Sequence, residues 1–172
     1  MPQSVHLVPM TEWMVQERLS QDDSFQQAIP VAGQSILVHF GAEWPGVAVE
    51  LFPRFLTMLQ AGEDLDTHLV VHVDSAEAVG MIGVVDVDLD AGAVEIGYGI
   101  NPSAWGCGFA TEAVRQTVEM LSARPDVETV IASTGVDNAA SGRVLSKNHF
   151  QRVGSGWSEE DGTLINWSRA VR

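Results

Sequence analysis

Cysteine is almost absent from this 172-residue chain. The single Cys107 excludes an internal disulfide and a cysteine-rich zinc site. Basic residues are scarce as well: nine Lys and Arg stand against 23 Asp and Glu, for a net charge of −14. A surface of that sign repels nucleic-acid phosphates, which argues against DNA or RNA as the main ligand, and attracts cationic amines. The same charge also serves solubility, and the sequence leaves that alternative open. No apolar run approaches the ~18 residues that a membrane-spanning helix needs, so no membrane partner is expected. The opening residues, Met1-Pro2-Gln3-Ser4-Val5-His6, lack the basic-then-apolar order of a signal peptide, and a cytoplasmic location is the expectation.

What is present describes a globular protein. Apolar residues make up 45% and charged residues 19%, and the length suits one domain over 1–172 with its own core. Charge is unevenly spread: residues 1–91 hold 14 acidic and 2 basic residues, residues 92–172 hold 9 and 7. Alternation predicts strands at Ser4–Val8, Ser35–Phe40, His68–Val73, Gly80–Val87, Ala93–Ile100 and Val127–Ser133. Thr11 is placed to cap a helix from Glu12 to Ser20. Asp22–Gln34, polar and broken by Pro30 and Gly33, reads as loop or broken helix. Apolar residues recur at helical spacing from Val47 to Gln60, kinked by Pro53 unless it opens a second segment. A further helix follows Gly108, with Ala110, Val114, Thr117, Val118 and Leu121 on one face, and stops at Arg124-Pro125-Asp126. Asp137 or Asn138 caps a short helix over Ala139–Asn148, with Ala140, Val144 and Leu145 inward. Phe150–Trp157 and Thr163–Ala170 form a closing hairpin. The mixed order of hairpins and helices predicts an α/β or α+β three-layer domain.

The chemistry concentrates in Val94–Val114. This stretch reads as a strand, a Pro-bearing turn, a glycine loop around Trp105-Gly106-Cys107-Gly108-Phe109-Ala110, and the first turn of a helix. Such a helix terminus presents unsatisfied N–H groups and a partial positive charge that suit a phosphate. A dinucleotide fingerprint fails because its third glycine would fall at Thr111, and a P-loop fails for want of its lysine. No residue pattern activates the Cys107 thiol as a nucleophile. His68 and His72 share a strand face but stand too far apart to share a metal comfortably, so no metal is expected.

Glu95-Ile96-Gly97-Tyr98, Pro102 and Trp105-Gly106-x-Gly108-x-Ala110-Thr111-Glu112-Ala113 resemble the acyl-CoA-binding motif of the GCN5-related N-acetyltransferases (GNAT). They are most similar to the branch that acetylates N-termini of ribosomal proteins. A second block, Asn138-Ala139-Ala140-Ser141 through Asn148-His149-Phe150, resembles that branch's Asn-x-x-Ser helix and the Asn-His-Phe that follows. The two blocks cover roughly residues 80–155. The resemblance implies a three-layer α/β/α fold whose mixed, mostly antiparallel sheet is splayed at the cofactor site. It implies acetyl-CoA as cofactor, with the pyrophosphate on the backbone of Gly106, Cys107, Gly108, Phe109 and Ala110, flanked by Trp105 and Thr111. The pantetheine arm would lie along Ile96, Gly97, Tyr98 and Ile100, where Gly97 and Gly99 suit a bulge. Asn138 would hydrogen-bond that arm and Lys147 would lie near the cofactor.

The resemblance leaves the catalytic groups open. Many family members carry a tyrosine acid where this chain has Leu145, and Ser141 is the candidate that replaces it. Glu160, Glu95 or a water chain would take the proton from the attacking amine. His149 is read as packing beside Phe150. The expected function is direct acetyl transfer to a primary amine, on a protein N-terminus or a small cationic molecule. The competing expectation is an acyl-CoA-binding module that has lost its chemistry. Trp157 and Trp167, both read as exposed, are the candidates for a homodimer contact.

Overall fold

Thr11 ends the first strand by starting the first helix. In the computed structural model, which describes residues 4–172, strand β1 spans Val5–Pro9 and helix α1 spans Glu12–Ser20. The Thr11 side chain accepts from the Met14 N–H at 3.3 Å, a cap that contributes about 1 kcal/mol. Met1, Pro2 and Gln3, which open the stretch read as lacking a leader's pattern, lie outside the described residues.

The described residues form nine strands and four helices in a mixed, mostly antiparallel sheet of order β1-β4-β5-β6-β7-β9-β8, with β2 and β3 off that path. The remaining strands are β2 (Phe25–Val31), β3 (Gln34–Phe40), β4 (Thr67–His72), β5 (Glu77–Asp88), β6 (Ala93–Ile100), β7 (Thr129–Gly135), β8 (Gln151–Ser158) and β9 (Gly162–Ala170). Helix α2 spans Phe52–Gln60, α3 Phe109–Ser122 and α4 Ala139–Lys147. The chain divides into two compact units, residues 1–83 with 98–113, and residues 84–97 with 114–172.

In the first unit, β4 lies antiparallel between β1 and β5. The β2–β3 hairpin corrects the reading of Asp22–Gln34 as loop or broken helix. Phe25, Ile29 and Val31 alternate inward along β2, and Ala32 and Gly33 close a two-residue turn at φ 49° and 81°. Pro30 is tolerated because β2 is an edge strand, paired with β3 alone. Val47–Gln60 is two segments: a 3-10 turn over Gly46–Leu51, then α2 with Pro53 in its first turn, where the missing N–H costs no helix bond. The core includes Met14, Val15, Phe40, Trp44, Phe52, Leu69 and Val71. Arg18 is buried over the Phe25 ring and donates to the carbonyls of Asp23 and Gly41 at 3.1 and 2.8 Å. Burial pushes its guanidinium pKa down, against the opposing pull of Asp22.

In the second unit, β7 runs parallel to β6 and antiparallel to β9, which pairs with β8. Val114, Thr117, Val118 and Leu121 of α3 are buried as the spacing requires. Trp167 is not an exposed dimer contact: it is 2% exposed, its indole N–H donates to Thr134 Oγ1 at 2.9 Å, and Arg152 lies over its ring. Trp157 is 69% exposed. Within α4, Leu145 is buried, whereas Ala140 is exposed rather than inward. His149 does not pack. It is exposed at φ 62° and terminates α4, with its N–H donating to Ser146 O and the Phe150 N–H to Leu145 O at 3.1 and 3.0 Å. That pair of bonds is a Schellman ending, in which the left-handed position normally takes glycine.

Candidate functional site

The strand-to-helix connection of the first unit is built by Asn101. Its backbone N–H donates to Val79 O at 2.8 Å and its Nδ2 to Ala78 O at 2.9 Å, which pins the end of β6 to β5. Gly80 on β5 permits this approach, since a Cβ there would meet Gly99 O at 2.2 Å. Sequence reasoning missed Gly80, because its constraint comes from a strand 19 residues away. A single 3-10 turn, Pro102–Ala104, then delivers Trp105, whose indole is 68% exposed and donates back to Ile100 O at 2.7 Å.

Gly106 and Gly108 follow at φ 77° and 83°. A Cβ added at either would meet nothing within 4 Å. Glycine is therefore required by backbone conformation while the space beside the loop stays open. The N–H groups of Gly106, Cys107, Gly108, Phe109 and Ala110 have no hydrogen-bond acceptor among the described residues. The first intrahelical bond here is Glu112 N to Gly108 O at 3.1 Å. Phe109 holds this terminus in place: its buried ring lies 4.8 Å, centroid to centroid, from that of His72. Ala110 and Thr111 are half-buried, and Tyr98 and Ile100 are half-buried on the last residues of β6. The result is a run of orphaned donors at the positive end of a 14-residue helix, a cradle for an anion.

The second unit carries the remaining candidates. Pairing of β6 with β7 covers Ala93–Glu95 against Thr129–Ile131 and stops there, so Ile96 and Gly97 run past the last paired residue. Ile96 is buried, and Gly97 is demanded by crowding: a Cβ would meet Val85 at 2.9 Å. Neither Gly97 nor Gly99 is in the left-handed region. Glu95 is half-buried opposite Ile131.

Asn138 is the cap of α4. Its Oδ1 accepts from the Ser141 N–H at 3.1 Å, and its Nδ2 has no partner among the described residues. The cap uses the oxygen and leaves the amide donors, so capping and ligand contact are compatible. Ser141 sits half-buried in the first turn and Lys147 exposed in the last. Gly142 gives α4 its seat, since a Cβ would meet the Trp167 ring at 3.3 Å. Glu160 is exposed in the β8–β9 turn, whose Asp161 lies beside Gly135. The Asn138 N–H donates to the same Gly135 at 2.9 Å. The fold thus brings the acidic turn and the Asn138–Ser141 cap to one end of this unit. Glu95 is not brought there: Ile131 opposite it is four residues, about 13 Å of strand, from Gly135.

These features coincide with a known domain. A family model described as Acetyltransferase (GNAT) domain matches residues 20–151. The chain belongs to this family. The N-acetyltransferase p20 of Bacillus licheniformis, itself uncharacterized, is 28% identical over 85 residues, 49% of this chain and 48% of p20. The uncharacterized N-acetyltransferase YoaA of Bacillus subtilis (strain 168) is 35% identical over 81 residues, 47% of this chain and 46% of YoaA. The chain spans about half the length of these curated relatives. Among solved structures, the coenzyme A complex of RimL, a ribosomal L7/L12 alpha-N-protein acetyltransferase, superposes with a TM-score of 0.67 at 18% identity, over 98% of this chain and 96% of that one. At that identity the likeness speaks for the GNAT fold.

Proposed function

We propose that this GNAT-family chain is an acetyl-CoA-dependent N-acetyltransferase that transfers an acetyl group directly to a primary amine. The observation that carries the reading is the run of orphaned amides from Gly106 to Ala110, opened by two left-handed glycines. Coenzyme A fits this cradle because its pyrophosphate supplies the acceptors that those donors lack.

When bound, acetyl-CoA supplies the acyl group as a thioester. The residues then divide the work. The N–H groups of Gly106, Cys107, Gly108, Phe109 and Ala110 hold the phosphates, with Trp105 and Thr111 flanking them. The backbone of Ile96, Gly97, Tyr98 and Ile100 offers pairing groups to the pantetheine amides. Asn138 donates through Nδ2, and Lys147 adds a positive charge on α4. The attacking amine must be neutral, so Glu160 or Glu95 takes its proton, directly or through water. Ser141 is the candidate to protonate the leaving thiolate, since Leu145, fully buried at 0% exposure, has no proton to give. The whole chain, 1–172, is read as one acetyltransferase domain. Its acceptor is a cationic amine on a protein N-terminus or a small molecule, which the acidic composition attracts.

A second reading, an acyl-CoA-binding module without turnover, draws on the same Leu145. Thiol release from acetyl-CoA over a panel of N-terminal peptides and small amines separates the two. Turnover that drops at least ~10-fold in Glu160→Gln or Glu95→Gln, as loss of a general base requires, supports the enzyme. Absence of turnover on every amine, with coenzyme A still bound, supports the module.

A further inference from the structure

Strand β8 is the outer edge of the sheet: among the described strands it pairs with β9 alone. Its other side carries a row of backbone N–H and C=O groups without a strand partner, which template a further strand. Edges are commonly blunted by proline or by lysine. Over Gln151–Ser158 there is neither, and the register shifts once, between Arg152 and Gly154. Instead the strand shows water two large apolar side chains, Val153 at 63% and Trp157 at 69% exposure.

Two features of β8 define what fits this edge. The first is the order of its charges. Lys147 and Arg152 stand at its beginning, and Glu159, Glu160 and Asp161 follow its end, all of them exposed. A second β8 laid antiparallel brings each basic end onto the other's acidic end, twice, whereas a parallel one sets like charge on like. The second feature is spacing. Val153 and Trp157 lie two residues to either side of Ser155. With Ser155 on a two-fold axis, Val153 of each copy faces Trp157 of the other. Such pairs of a β-branched and an aromatic residue stabilise antiparallel strands. Gly154 and Gly156 beside the axis leave room for the second backbone to approach. The net charge of −14 does not forbid the contact, since repulsion between exposed charges is screened beyond about 8 Å at physiological ionic strength.

We propose that β8 is a self-recognition edge, on which a second copy of this chain pairs antiparallel about Ser155 and continues the sheet. The two-fold axis makes the contact isologous: each edge covers the other, so association stops at a dimer. The proposal stands on β8 and its two ends and does not rest on acetyl transfer.

The test combines sedimentation equilibrium of the full chain, up to hundreds of micromolar, with cysteine cross-linking. The expected result is a reversible monomer–dimer equilibrium. Trp157→Ser or Val153→Ser removes two symmetry-related contacts at once, and Trp157→Ser weakens dimerisation at least ~10-fold, as for an aromatic anchor of an interface. Both side chains are mostly in water, and thermal unfolding of each variant confirms that it is folded. In a Cys107→Ser background, Ser155→Cys cross-links to itself under mild oxidation, because residues opposed on the axis have Cα atoms about 4.5–5.5 Å apart, within disulfide reach. Gln151→Cys does not, since its two copies lie ~26 Å apart along the strands. A monomer at every concentration, a dimer unchanged in Trp157→Ser, or cross-linking no better at Ser155→Cys than at Gln151→Cys would overturn the proposal. No acyl donor is present in these measurements, so a negative result leaves the acetyl-transfer reading untouched.

Discussion

Replacing Gly108 by alanine separates what the loop's conformation does for stability from what it does for binding. Gly108 sits at φ 83° with nothing within 4 Å of an added Cβ, so the substitution creates no clash and acts through the backbone alone. Holding an L-residue in the left-handed region costs about 1 kcal/mol. For a chain of 172 residues that lowers Tm by about 3 °C. The alternative is that the loop relaxes to φ < 0 and re-aims the amides of Gly108, Phe109 and Ala110. Either outcome disturbs charge-assisted bonds worth about 1.5–3 kcal/mol each, so coenzyme A binding weakens at least ~10-fold. Gly62→Ala is the matched control, at φ 78°, equally open and outside the proposed cofactor residues. Calorimetric titration with coenzyme A, paired with thermal unfolding, reads both quantities. The expected pattern is an equal Tm drop in the two variants and lost affinity in Gly108→Ala alone. Unchanged affinity in Gly108→Ala would mean that the amides of Gly108, Phe109 and Ala110 do not hold the cofactor phosphates.

Three further outcomes follow from single residues. His149→Gly relieves the left-handed strain at the end of α4 and raises stability by about 0.5 kcal/mol, after the entropy that glycine returns to the unfolded chain; chemical denaturation measures it. Asn138→Asp keeps the oxygen that caps α4 and removes the Nδ2 donor, so Tm holds while coenzyme A affinity falls; a Tm loss with unchanged affinity would reduce Asn138 to a cap. Burial lowers the His68 pKa below its ordinary 6.5, with Asp66 and Asp64 opposing. The unfolded chain then binds the proton more readily than the folded one. The His68 contribution to stability is therefore present above about pH 6.5 and lost as pH falls through the folded pKa. His68→Gln flattens that part of the pH dependence, measured by thermal unfolding between about pH 7.5 and about pH 5.5.

Local rules made α1, β6 and α4 legible, because Thr11, the Ala93–Ile100 alternation and Asn138 act on residues within a few positions of themselves. The glycine loop was legible for the same reason, since a strand, a turn and a helix terminus meet within 21 residues. β2 was not, because whether Pro30 breaks a strand depends on that strand being an edge, which only pairing decides. Trp167 looked like surface until Thr134 and Gly142, 33 and 25 residues away, closed over it. The cleft of the first unit that Gly41, Glu77, Asn101 and Phe109 line draws on segments far apart in sequence and has no signature in any one of them. The general base stays a choice between Glu160 and Glu95 for a chemical reason. One is an exposed turn carboxylate and the other a half-buried strand carboxylate opposite Ile131, and either type can accept a proton.

The amides from Gly106 to Ala110 are proposed to hold the pyrophosphate of coenzyme A. Calorimetric titration of the unmodified chain with coenzyme A tests it most directly, run beside pantetheine, which has the arm without the phosphates. The expected result is saturable one-to-one binding of coenzyme A and binding of pantetheine weaker by at least ~100-fold, the loss of two or more charge-assisted bonds. Equal affinity for the two, or no heat with coenzyme A up to millimolar concentration, would contradict it.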